Sequence, residues 1–231
     1  MLKREIAILI DFGIIVSQKA IDNFPLGIVN SHFSLLPEWR GADPISFAIL
    51  SGQPKTGVSL MLIDAGMDTG MLITQKVHLI KPGTTTPSLT DELITLSHKL
   101  LVAYLPEYIA GTVKPRNQPH PDRATYSRKL TKEDGLIDWN KPAEVIEREI
   151  RAFIDWPKSR TILGDKDVIL TKAYIEPSVD VGEKPGDVIV IKEMGGLAVT
   201  TSNGLLWIQR LKPAGKSEMT AAAFLAGNKI Y

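Results

Sequence analysis

The chain has 231 residues, no cysteine, and 27 basic against 26 acidic side chains. Without cysteine there is no disulfide framework, no cysteine nucleophile and no thiolate metal site. A net charge of +1 excludes a strongly basic nucleic-acid binder but leaves room for a local basic patch, and 44% hydrophobic residues is material for one large domain or two modest ones.

The first strong signal is an apolar run, Glu5–Ile10, read as a strand buried on both faces. Lys3 and Arg4 ahead of it resemble the start of a signal peptide. Glu5 and Asp11 bracket the run, and no small-residue cleavage site follows. No stretch of about 18 uncharged apolar residues spans a membrane. The expected location is therefore cytoplasmic, with an organellar matrix as the alternative.

Ser17 can cap a short helix over 18–24, and 27–30 reads as a second buried strand. Asp43-Pro44 opens a helix to Gly52, with a capping residue followed by proline at the first helical position. Strands are expected at 58–63 and 72–80. A helix from Ser88 carries Leu89, Leu93, Leu96, Leu100 and Leu101 on one stripe; Pro106 weakens its last turn and Gly111 ends it. Strands alternating with helices predict an α/β layer with a mostly parallel sheet.

The stretch 112–122 holds Pro115, Pro119 and Pro121 and reads as a linker. Beyond it a helix is expected over 143–153, then hairpins. Gly164-Asp165 separates strands at 160–163 and 168–174, and Asn203-Gly204 separates 197–201 from 205–211. A further strand covers 187–191, and a last helix runs from Thr220 to Gly227. Short strands with turn signals predict a small barrel or sandwich.

Several motifs fail for want of context. Asp11-Phe12-Gly13 spells a kinase metal-binding triplet, but no glycine-rich loop, strand lysine or catalytic loop accompanies it. Asp64 to Asp68 lacks the spacing and closing glutamate of a calcium loop. The four histidines are too scattered for a metal site.

The informative segment is Asn30-Ser31-His32-Phe33-Ser34-Leu35-Leu36-Pro37. Asn30 and His32 sit two apart at a strand end, so both face one side. Ligands of open α/β sheets bind at such strand ends. An amide donor beside an imidazole suits a reaction that builds charge on a carbonyl oxygen. The loop Asp64–Gly70 adds carboxylates that could orient His32 and raise its pKa.

The ordered set Asn30-Ser31-His32, Ser34-Leu35-Leu36-Pro37, Trp39-Arg40-Gly41, Thr56-Gly57-Val58 and Asp68-Thr69-Gly70 resembles the folate-dependent formyltransferases. Ile137-Asp138-Trp139, Arg151-Ala152-Phe153, Trp156-Pro157 and the segment Leu211 to Lys216 look like the methionyl-tRNA branch of that family. The likeness covers the chain from about residue 5. It implies a Rossmann-like formyltransferase domain (1–111), a linker (112–127) and a C-terminal OB-like β-barrel domain (128–231) that helps hold tRNA. The donor implied is 10-formyltetrahydrofolate and the acceptor the α-amino group of methionyl initiator tRNA, with no metal. By the same resemblance Asn30, His32 and Asp68 are the catalytic trio, with His32 protonated. Ser34, Leu35, Leu36 and Pro37 lie against the folate, and Phe12, Gly13, Ile14, Ile15 and Val16 line its pterin pocket.

Two departures accompany the likeness. Only one strand precedes Asn-x-His, where the family has several strand–helix units. The opening of the catalytic domain is therefore expected to be absent, leaving strand 5–10 with an exposed apolar edge. A complementing chain is one way to fill it. Met71 also follows Gly70 where many relatives carry another acidic residue.

Basic residues assigned to tRNA contact are Arg40, Arg128, Lys129, Lys132, Arg210, Lys212 and Lys216. Two rival readings stand: formyl transfer to an amino-sugar nucleotide or small amine, and a non-catalytic fragment that binds RNA or folate.

Overall fold

The computed structural model describes residues 5–10, 16–176, 184–191, 196–228 and 230. The chain divides into two compact units, Met1–Lys129 and Leu130–Tyr231.

The first unit is built on a four-stranded sheet. Its strands are β1 (Ala7–Ile10), β2 (Ile28–His32), β4 (Lys55–Leu62) and β5 (Leu72–Leu79), in the order β1-β2-β4-β5. Ser17 caps the short helix α1 (Gln18–Ile21) through its side chain. The two-residue strand β3 (Arg40–Gly41) leads into α2 (Pro44–Ser51). As predicted, Asp43 caps α2 by accepting from the Ser46 N–H, and Gly52 closes it in the left-handed region at φ 74°. Helix α3 (Thr86–Ile109) starts where Ser88 Oγ accepts from the Thr85 N–H, and runs through Pro106 without stopping there. Its buried stripe is Leu89, Leu93, Ser97 and Leu100, packed on β4 and β5.

The sheet is mixed, not mostly parallel. β1 pairs β2 in parallel, but β2–β4 and β4–β5 are antiparallel. β4 is buried from Thr56 to Met61. A strand covered on both faces reads as a continuous apolar run whichever way its neighbours point. β1 is not buried on both faces either: Ile8 and Ile10 are exposed, and the strand is an edge of this sheet.

The stretch 112–127 is not a free linker. Arg116 exchanges backbone hydrogen bonds with Leu72, at 2.8 and 2.9 Å. After a single 3-10 turn, β6 (Tyr126–Ser127) pairs in parallel with β3. The segment thus belongs to the first unit. Its prolines and lack of periodicity give no hint of that pairing.

The second unit contains α4 (Ala143–Ala152), β7 (Ser159–Leu163), β8 (Lys166–Glu176), β9 (Val188–Ile191), β10 (Gly196–Thr200), β11 (Leu205–Pro213), β12 (Met219–Thr220) and α5 (Ala221–Gly227). Gly164-Asp165 forms the two-residue turn between β7 and β8, as its residue types demand. The sheet order is β7-β8-β11-β10-β9, with β12 added to β11. No ladder among the described residues closes it into a barrel. One apolar core joins Ile146 and Ile150 of α4, Phe224 of α5, and Leu163, Leu170, Leu197, Leu206 and Leu211 of the strands.

Candidate active site

The period of β2 sorts its side chains. Ser31 turns toward α3, where its Oγ lies 2.6 Å from Ser97 Oγ. Asn30 and His32 therefore share the opposite face. His32 is 6% exposed, and Asn30 is half-buried. The Asn30 amide makes no side-chain hydrogen bond among the described residues.

His32 is held from both ends. Its Nε2 lies 2.9 Å from the Trp39 carbonyl oxygen. That oxygen only accepts, so Nε2 carries a proton. Nδ1 points at Asp68 Oδ2 across 3.7 Å, too far for a direct hydrogen bond. Burial pushes the imidazole below its ordinary pKa of 6.5, while the Asp68 carboxylate and the Trp39 carbonyl pull the other way without reversing the shift. Burial thus holds the resting ring toward its neutral form, with Nδ1 facing Asp68.

Asp68 is fixed in turn. Its Oδ2 accepts from the Gly41 N–H at 2.7 Å. Its own backbone is left-handed, at φ 52°. Aspartate is one of the few residues with a side chain that enters that region as a single residue. Gln118 holds it there: Nε2 donates to the Asp68 carbonyl at 2.7 Å and to the Gly70 carbonyl at 3.0 Å. Gly70 has no room for a side chain, since a Cβ would stand 1.7 Å from the Leu62 carbonyl oxygen. Gly41, at φ 110°, would place a Cβ 2.3 Å from the Ser127 carbonyl oxygen. These contacts explain why glycine sits at both positions.

Ser34, Leu35, Leu36 and Pro37 form a pinned turn. Ser59 Oγ donates to the Ser34 carbonyl at 2.6 Å and accepts from the Leu36 N–H at 3.1 Å. Gln75 Nε2 donates to the Leu36 carbonyl at 2.8 Å. Ser34 Oγ donates to the Glu38 carbonyl at 2.5 Å. Val16 is half-buried, whereas Phe12, Gly13, Ile14 and Ile15 lie outside the described residues.

Arg40 needs correction. It is not a surface cation but 6% exposed, with Nη2 donating to Gln118 Oε1 at 2.6 Å. Arg128, Lys129, Lys132, Lys212 and Lys216 are exposed. Arg210 pairs with Glu218 at 2.9 Å. Met71 leaves the loop intact, its carbonyl accepting from the Leu62 N–H at 2.8 Å. Sequence reading missed Gln118, Ser59 and Gln75. Each acts across 16 or more residues, and none belongs to a local pattern.

The family models agree with this architecture. The model described as formyl transferase matches residues 1–105, and that described as formyl transferase, C-terminal domain, matches 129–229. The methionyl-tRNA formyltransferase of Halorhodospira halophila is 40% identical over 229 residues, covering 98% of this chain and 72% of that protein. The chain belongs to the formyl transferase family. Solved structures share the fold. HypX from Aquifex aeolicus, in complex with tetrahydrofolic acid, has a TM-score of 0.69 at 19% identity, over 96% of this chain and 38% of its own. WlaRD, a sugar 3N-formyl transferase, also has a TM-score of 0.69, at 21% identity, over 91% of this chain and 73% of its own. As a formyl transferase, the chain has a Rossmann-like first unit and a β-rich second one.

Proposed function

We propose that this formyl transferase moves a formyl group from 10-formyltetrahydrofolate to the α-amino group of methionyl initiator tRNA, in translation initiation. The reading rests on one observation above the rest: 40% identity to a methionyl-tRNA formyltransferase across 98% of the chain. The residues fit a folate donor. A half-buried amide with no side-chain hydrogen bond among the described residues shares a strand face with a buried imidazole, and the turn 34–37 beside them has its backbone fixed.

When bound, the donor supplies an activated formyl carbon whose oxygen gains negative charge as the amine attacks. Asn30 offers its amide N–H to that oxygen. Such a donor is worth about 2.7–4 kcal/mol of barrier. His32 enters neutral; Nδ1 takes up the proton the amine must lose and returns one to the donor nitrogen as the bond from that nitrogen to the formyl carbon breaks. Asp68, held by the Gly41 N–H, steadies the imidazolium so formed. Ser34, Leu35, Leu36 and Pro37 supply the rigid wall, and Val16 an apolar contact.

We assign the second unit, read as an open OB-like sheet, to tRNA. Its Lys132, Lys212 and Lys216 are the phosphate contacts, joined by Arg128 and Lys129 at the end of the first unit. Arg210 joins them only by giving up Glu218. Formyl transfer to methionyl initiator tRNA, set against transfer to amino-sugar nucleotides, tests this reading. Faster use of the sugar nucleotide overturns it.

A further inference from the structure

The Gln118 side chain is buried, 7% exposed, on a segment without helix or strand of its own. Its two ends do different work. Oε1 accepts from Arg40, at 3.3 Å from Nε and 2.6 Å from Nη2. Nε2 donates both hydrogens into the β4–β5 loop, to the carbonyls of Asp68 and Gly70. An amide is the group that can do both, because it accepts at one end and donates twice at the other. Arg40 precedes Gly41, whose N–H grips the Asp68 carboxylate. Gln118 therefore bridges the backbone of Asp68 to the strand that holds its side chain.

From this closed circuit we propose that Gln118 is a positioning residue for formyl transfer, keeping the Asp68 loop in the left-handed turn that aims its carboxylate at His32. The inference rests on the functional reading above. It adds a residue that touches neither substrate nor reacting atoms and acts only through Asp68. It also gives residues 116–127 a role: they lock the catalytic loop by Arg116 to Leu72 and by Gln118 to Asp68 and Gly70.

Two substitutions separate the two ends of the amide. Gln118→Glu keeps an acceptor for Arg40 but sets a carboxylate against two carbonyls. Gln118→Met keeps the volume and loses both functions. The experiment measures kcat and KM for formyl transfer in wild type, Gln118→Glu, Gln118→Met, Asp68→Asn, and Asp68→Asn combined with each Gln118 variant. Folding is checked by circular dichroism. Inactive wild type would mean that the functional reading itself has failed. With active wild type, the account expects kcat to fall at least tenfold in both Gln118 variants, with KM for the donor within threefold of wild type. It also expects each double variant to be no slower than Asp68→Asn alone, because residues acting through one group are not additive. Wild-type kcat in either folded variant, or double variants slower by the full product of the single effects, overturns the proposal. If one Gln118 variant does not fold, the other decides by the same criteria.

Discussion

The two units spend their buried volume differently. The second is organised by one apolar cluster running from α4 through the sheet to α5. The first buries polar groups where the chemistry is read: Ser31, His32, Ser34, Arg40, Ser59 and Gln118 all have hydrogen-bond partners in the interior. An apolar contact contributes free energy in proportion to area, without preferred direction. A buried hydrogen bond adds little net stability but fixes where atoms point, and costs much when half broken. The second unit is thus built to fold, and the site region of the first is built to aim.

The comparison can be broken most forcefully in the apolar unit. Phe224→Ala should cost about 3–5 kcal/mol of unfolding free energy. Urea unfolding followed by tryptophan fluorescence reads it, since Trp139, Trp156 and Trp207 lie in that unit. A loss below about 1 kcal/mol would contradict the role given to the cluster. In the site region, Asn30→Ala should do the opposite. It should slow single-turnover transfer by two to three orders of magnitude, as loss of an oxyanion donor does. Stability should move by only about 0.5 kcal/mol, because among the described residues the amide has no side-chain hydrogen bond to lose. A variant that unfolds easily yet transfers at wild-type speed would invert the contrast.

A smaller effect follows from His32. Burial holds its folded-state pKa below the unfolded value of 6.5. Between those two values the unfolded chain binds more protons, so this group makes stability rise with pH. Its contribution is full above 6.5 and is lost as pH falls through that value toward the lower folded pKa. Melting temperatures of wild type and His32→Gln across pH 5–8 should converge toward acid and separate toward neutral. Parallel curves would remove the desolvation argument.

The smallest effect concerns Lys212 and Lys216. If each meets one phosphate, its replacement by Gln lowers the slope of log K against log salt by about 0.7–0.9. An unchanged slope would take both residues out of the interface.

Legibility in the sequence followed the range of the interaction. Asn30 and His32 could be placed together because two residues along a strand fix a face. The α2 cap, the Gly52 stop and the Gly164-Asp165 turn are local chemistry and appeared where expected. The antiparallel pairing of β2 with β4 did not, because a strand buried on both faces hides its neighbours' direction. Arg40 was misplaced for a related reason. A cation looks solvated until its partner is known, and that partner lies 78 residues away. Gln118 has no periodic context at all, and only the folded chain brings it to Asp68.

The central claim is that Asn30, His32 and Asp68 form a site for formyl transfer to methionyl initiator tRNA. The most direct test is single-turnover transfer from 10-formyltetrahydrofolate to that tRNA by wild type and His32→Ala. The account predicts transfer by wild type and a rate at least a hundredfold lower in the folded variant. Equal rates in the two proteins, or no transfer by folded wild type, would contradict it.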